Sequence, residues 1–485
     1  MQEAERPAPG SGAVRHFLRQ TSLQRAFLQQ PWLQRSWRTL LLCAAALLGF
    51  GVTLYLCAPG FLALDSGVQL EQARAFEFID DHPVIMALTW HYLDQLAPGP
   101  VGMIVLIASL YWAGLGGLCC AVPGPVWLRA LGMLAIGFSP PAFSCLPIVM
   151  KDALMHGALL SGLACLVVPS RRGLGWRLPA ALLLLTFAIA VRHNAAAAAW
   201  PFLALPLLYW LPLRQRWLRL LSAGALGLLL AFLMARSVQR TLAPLAERTE
   251  FWQTVPTFDL AGMSLKAGEL LVEPETELFA QGMGLGQIRQ LFTADYGPQL
   301  YYCIAFGGKR CVHLFRMSRD REQLQQLSGN WLRAIREYPG AYLAHRYDFA
   351  RALLTVNRGP KLLYYLDAAP HHQFGIDYPP TERSLRVMAW LERKLKAWVY
   401  QPWIYALLCV LLIPAGLIQF ARAGQALTLA FGLSGSCYLL STIVGASSTN
   451  YRYSVWMILC TLLGLAALLL SWRAREPAAP LAPPA

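Results

Sequence analysis

The sequence predicts an all-α polytopic membrane protein, and three observations predict it. Of the 485 residues, 56% are apolar and only 14% charged, where a soluble domain carries roughly 25% charged residues. Mean hydropathy is +0.43. The apolar residues fall into runs near the roughly 20-residue length that a helix needs to cross a hydrocarbon core. This composition excludes a soluble enzyme, a disordered chain and a fibrous one. The 11 cysteines are too sparse for a disulfide scaffold.

The pattern predicts about ten spans: 39–58, 101–122, 126–148, 153–169, 177–193, 195–213, 217–235, 402–421, 426–446 and 454–472. The first does not read as a cleaved signal, because the polar segment 1–38 before it is too long for an n-region. Within that basic segment, Phe17, Leu18, Phe27, Leu28, Trp32 and Trp37 alternate with arginines. It reads as an amphipathic helix on the cytoplasmic leaflet. Residues 178–213 form one apolar stretch broken by Arg192-His193-Asn194. Two short helices are expected there, because a single span would put Arg214, Arg216 and Arg219 outside, against the positive-inside bias.

With ten spans, Arg129, Arg171, Arg172, Arg177, Arg422 and Arg473 join those arginines and the N-terminal ones on one side. That side is therefore cytoplasmic. It keeps only Glu3, Glu5 and Glu476 of the 26 carboxylates. The net charge of +15 is then a topology signal and an attraction to anionic membrane lipid, not a nucleic-acid footprint. A multi-pass inner (plasma) membrane protein with both termini cytoplasmic is expected. The Ala/Pro-rich tail 473–485 reads as disordered.

The outer side holds a loop at 59–100 and a mainly helical periplasmic domain at 236–401, between the transmembrane region 39–235 and the C-terminal helices 402–472. Asp65 follows the exit of the first span. Ser66 to Phe78 suits a short surface helix, and Pro83 opens a second. Asp65 also suits a helix cap. Asp80 and Asp81 also suit a helix start, and His82 an interface. Three outer turns carry cations: Lys151-Asp152, Arg192-His193-Asn194 and Asn450-Tyr451-Arg452. Each alone also suits an interfacial anchor. Together, opposite a carboxylate-rich loop, they point to a site for an anionic, membrane-held ligand.

In the outer domain, Arg319 to Leu354 reads as helical, interrupted at Pro339-Gly340. Cys303 and Cys311 flank Gly307-Gly308, a good hairpin turn, and are placed to form a disulfide outside the cytoplasm. His371 and His372 with Asp377 do not make a metal site, because adjacent histidines point apart and a metal wants three or four converging ligands.

A long span followed by Asp65, two surface helices, His82-Pro83, then Lys151-Asp152 and Arg192-x-Asn194, resembles the GT-C superfamily of integral membrane glycosyltransferases, in one of its bacterial branches. The resemblance implies a polyprenyl-phosphate-linked sugar as donor and a glycan or lipid acceptor. It implies that Asp65 is the catalytic base or lies beside it. Lys151, Arg192, Asn194, Tyr451 and Arg452 then contact the donor and its phosphate, supported by Asp80, Asp81, His82 and Asp152. Many relatives carry a second acid where this chain has Ser66, which weakens the case for a two-carboxylate metal site. Asp80 or Asp81 supplies that acid if the surface helices fold back. The cofactor stays unknown, with no divalent metal indicated.

The chemistry asks for these residue types independently. An attacking hydroxyl must lose a proton to a base. A departing phosphate needs cations where water is scarce. One carboxylate without a close partner favours inversion, by analogy with glycoside hydrolysis. The rival readings are a lipid-linked sugar flippase and a non-catalytic envelope-assembly protein. A flippase predicts charge at the bilayer midplane and matched halves, and the spans show neither.

Overall fold

The computed structural model describes residues 31–167, 175–271, 284–292, 317–354, 378–394 and 397–473. The basic segment up to residue 30, the tail from 474, Cys303, Cys311, His371, His372 and Asp377 lie outside them.

The first helix, α1 (Pro31–Cys57), is followed by β1 (Phe61–Leu62), α2 (Leu64–Ala75), β2 (Phe78–Ile79) and α3 (Val84–Leu96). Phe76 closes α2 in the left-handed region (φ 56°), and Pro83 caps α3. The surface loop is therefore two helices, as its sequence predicts. Next come α4 (Val101–Ala121), α5 (Val126–Gly137), α6 (Pro140–Phe143), β3 (Ile148–Val149) and α7 (Lys151–Leu166). Then α8 (Arg177–Val191), α9 (Ala195–Trp210) and α10 (Arg216–Leu242) lead to β4 (Ala246–Glu247). Residues 178–213 are thus two helices, parted at Arg192-His193-Asn194.

Among the described residues, six helical segments are long and apolar enough to cross a membrane: Trp37–Cys57, Val101–Ala121, Arg216–Leu245, Pro402–Ala423, Leu427–Gly445 and Tyr451–Ser471. The other four of the ten predicted segments form shorter apolar helices. The predicted span 126–148 ends as a helix at Gly137. Ser139-Pro140-Pro141 come next, and proline lacks the N–H that would continue the ladder. Helices α7, α8 and α9 have 16, 15 and 16 residues, short of the roughly 20 required. The predicted span 217–235 instead runs on as helix to Leu242.

Helix α7 is the centre of the packing. From Asp152 to Gly162 every residue is buried. The close approach has a sequence cause. A Cβ on Gly157 would lie 2.9 Å from Leu110 Cβ on α4, and one on Gly162 would lie 2.9 Å from Leu185 on α8. Small residues let membrane helices meet at backbone distance.

In the segment expected outside the membrane lie α11 (Thr254–Ala267), α12 (Leu285–Phe292), α13 (Arg321–Glu337), α14 (Pro339–Leu354) and α15 (Glu382–Lys394). Pro339 opens α14, so the predicted interruption is a junction between two helices. The chain closes with α16 (Pro402–Ala423), α17 (Leu427–Gly445), the single turn Tyr451–Ser454 and α18 (Val455–Arg473).

Candidate active site

Two short parallel bridges assemble the site. Strand β1 pairs with β3 in the register Phe61 with Ile148 and Leu62 with Val149. This places the start of α2, with Asp65, beside the start of α7, with Lys151 and Asp152. Ser66 closes the clasp: its hydroxyl accepts from the Ala63 N–H (3.1 Å) and donates to the Val149 carbonyl. The second bridge pairs β2 with β4 and uses Asp80, whose Oδ1 accepts from the Thr249 N–H at 2.7 Å and from the Thr249 hydroxyl.

Asp65 sits between two cations. Its Oδ2 lies 3.1 Å from Arg452 NH2 and 3.6 Å from Lys151 Nζ. Arg452 also reaches inward, with Nε 3.5 Å from Asp152 Oδ2. The other oxygen of Asp152 accepts from Arg192 NH1. The order is therefore Lys151, Asp65, Arg452, Asp152, Arg192, with cation and carboxylate alternating. Exposure divides the two carboxylates. The Asp152 side chain is fully buried, whereas that of Asp65 is 29% exposed. A buried carboxylate needs close compensation, and two guanidinium groups give it. Tyr453 offers its ring face to both, 4.5 Å from the Arg192 guanidinium carbon and 5.3 Å from that of Arg452.

Burial works against ionisation of Asp65, but the charges of Lys151 and Arg452 outweigh it. They hold the carboxyl well below the usual carboxylate range. His82 Nδ1 lies 3.5 Å from Lys151 Nζ. Burial and the Lys151 charge push the imidazole down to about 4, against the pull of Asp65. His82 is therefore neutral at pH 7 and adds no charge. Asp81 Oδ2 lies 3.9 Å from His82 Nε2. Burial pushes Asp81 up to about 6, opposed by the Gln72 hydrogen bond and the Lys151 charge.

The structure brings Asp65, Asp81, His82, Lys151, Asp152, Arg192 and Arg452 into one network. Asp80 faces Thr249 instead, so Asp81 is the acid that folds back toward Lys151. Tyr451 turns away: its buried ring lies 6.0 Å from that of Tyr400. Asn194 is half-buried at the N-terminus of α9 and makes no side-chain capping bond. Among the described residues, no three His, Cys, Asp or Glu side chains group to hold a metal ion.

Sequence reasoning missed four participants. Ser66 looked like a missing acid and is a clasp. Tyr453 was readable only as part of the aromatic-flanked Arg452. His156 and Tyr438 are buried, and neither His156 Nε2 nor the Tyr438 hydroxyl has a hydrogen-bond partner among the described residues. His156 lies one helical turn below Asp152, with its ring stacked 6.0 Å from Trp456. That i, i+4 spacing was its only signal.

No protein-family model matches the chain, and no curated protein matches it. Among solved structures, the crystal structure of ArnT from Cupriavidus metallidurans bound to undecaprenyl phosphate is similar over 90% of this chain and 77% of that one. Identity is 15% and the TM-score 0.29, a likeness too loose to transfer any residue's role.

Proposed function

We propose that the protein is a membrane glycosyltransferase that moves a sugar from a polyprenyl-phosphate carrier to an envelope glycan or lipid acceptor, with inversion. The observation that carries this reading is the setting of Asp65. It is a partly exposed carboxylate held between Lys151 and Arg452 where apolar helices end. The segments that converge there leave the side chains where the phosphate of a membrane-held lipid is presented.

The acceptor hydroxyl attacks the anomeric carbon and passes its proton to Asp65. The bond from that carbon to the phosphate oxygen breaks, and its electron pair stays on the phosphate. Lys151 and Arg452 meet the growing charge. In the resting site the same two cations lower the basicity of Asp65. A phosphate that shares them relieves that effect, so the base strengthens when the donor is bound. Asp152 and Arg192 act as positioning residues, holding Arg452 from beneath. With Asp152 sealed away, Asp65 is the carboxylate that sits between Lys151 and Arg452, and its role as base favours single displacement over a covalent intermediate.

The test compares a strain lacking the protein with the same strain carrying either the wild type or Asp65→Asn at equal protein level. Envelope glycans and polyprenyl-linked sugars are measured by mass spectrometry. The wild type is expected to restore a missing sugar. Asp65→Asn is expected to leave it missing while the lipid-linked donor accumulates, a loss of about 10²-fold or more for a lost general base. Full restoration by Asp65→Asn removes Asp65 as the base and overturns the reading.

A further inference from the structure

A second buried charge cluster lies in the outer helices, outside the site. Asp259 on α11 is fully buried, and its Oδ1 lies 2.7 Å from Arg346 NH2 and 3.2 Å from His345 Nε2, both on α14. Its other oxygen accepts from Trp331 Nε1 on α13 at 2.9 Å. Three outer helices thus converge on one carboxylate. The packing leaves no slack: a Cβ on Gly262 would collide with the His345 ring.

The other end of Arg346 leaves the outer helices. Its NH1 donates to the carbonyls of Ile443 (3.0 Å) and Ala446 (2.6 Å). Those carbonyls are at the C-terminus of α17, one of the membrane-spanning candidates. The last carbonyls of a helix have no partner within it, and the dipole there favours a cation. Arg346 is 4% exposed, so both ends of its guanidinium are used inside the protein.

The chain enters the site directly beyond α17. Residues 447–450 lead into the turn Tyr451–Ser454, where the Asn450 side chain accepts from the Arg452 N–H at 3.2 Å. Arg452 then bridges Asp65 and Asp152. We propose that Arg346 is a positioning residue that ties the outer helices to the segment carrying Arg452, so that the seating of the outer helices on α17 sets the placement of that phosphate-facing cation. Arg346 suits this because one planar fork reaches a carboxylate on one side and two carbonyls on the other. A lysine ammonium reaches only one of them.

The consequence for ligand rests on the reading of Arg452 as a holder of carrier phosphate; the tie itself does not. The experiment uses the full chain in lipid nanodiscs, with two readouts. The first is hydrogen exchange of the backbone amides of 447–452. The second is affinity for undecaprenyl phosphate. Arg346→Lys is expected to speed exchange across 447–452 by about tenfold or more, while α11 and α13 keep their protection. It is expected to weaken lipid binding by about fivefold or more. A role confined to the stability of the outer helices predicts the reverse pattern, with exchange rising in α11 and α13 first.

A second variant covers poor folding of the first. Asp259→Asn combined with Arg346→Met removes both charges together, which a buried pair tolerates better than loss of one member. The tie predicts fast exchange in 447–452 there too. Wild-type exchange in 447–452 in a folded variant overturns the tie. If wild-type protein does not bind the lipid at all, the functional reading fails, and the exchange result still decides the tie.

Discussion

The described residues hold two buried ion networks, and each centres on an aspartate whose side chain is fully buried. At Asp259 the charges close on themselves. Burial holds His345 below its ordinary value, although Asp259 pulls the other way, so a neutral imidazole accompanies one carboxylate and one guanidinium. At Asp152 the network does not close. Arg192, Arg452 and Lys151 gather with Asp152, Asp65 and Asp81, and Asp65 reaches solvent. A balanced and sealed network holds helices together. A network that sets Lys151 and Arg452 beside an open carboxylate is equipped to accept an anion. Exposure separates the two roles where residue type does not.

The sharpest way to break this comparison is to remove each aspartate in turn and track unfolding in nanodiscs. Asp152→Ala and Asp259→Ala each leave buried guanidinium groups uncompensated and are expected to cost about 3–5 kcal/mol. Asp65→Ala is expected to cost about 1 kcal/mol or less, since its carboxylate is partly solvated. An equal loss at all three positions would make Asp65 a structural residue like the others.

A smaller effect is expected on ligand affinity. Lys151→Gln removes one cation from beside Asp65 and is expected to weaken binding of a polyprenyl phosphodiester by about tenfold, the scale of one charge-assisted hydrogen bond. The melting temperature should hardly move. Isothermal titration in nanodiscs checks it, and unchanged affinity would remove Lys151 from the phosphate contacts.

The smallest effect is a pH dependence. Asp81, pushed up to about 6, is neutral below that pH and ionised above it. Its ionisation offsets the positive charge near Lys151. Affinity for an anionic phosphodiester, which does not itself titrate there, should therefore fall about twofold to fivefold as pH rises through 6. Asp81→Asn should flatten the profile at the higher affinity. A profile of unchanged shape in that variant would assign the titration to another group.

Apolar runs and arginine placement made most of the helices legible, including the break at Arg192-His193-Asn194. They set several helix ends wrongly, because hydropathy counts buried helix and lipid-facing helix alike. Helix α7 is a 16-residue helix enclosed by its neighbours, shorter than the apolar run that marks it in the sequence. The charged members of the site were legible because three cationic turns recur opposite a carboxylate-rich loop, although each alone also suits an interfacial anchor. Ser66 was not. A serine after an aspartate carries no signal until β1 meets β3 and puts the Val149 carbonyl in reach of its hydroxyl.

The sequence by itself determined that this chain is helical, that it belongs in a membrane, and which charges gather beyond one set of helix ends. Those properties come from composition and period, which are local. Only the tertiary structure decided the pairings. Asp65 and Arg452 are 387 residues apart in the chain, and Arg346 meets the end of α17 from another part of the protein. Which carboxylate is sealed and which stays open depends on how the helix ends pack around it, and no local pattern encodes that arrangement.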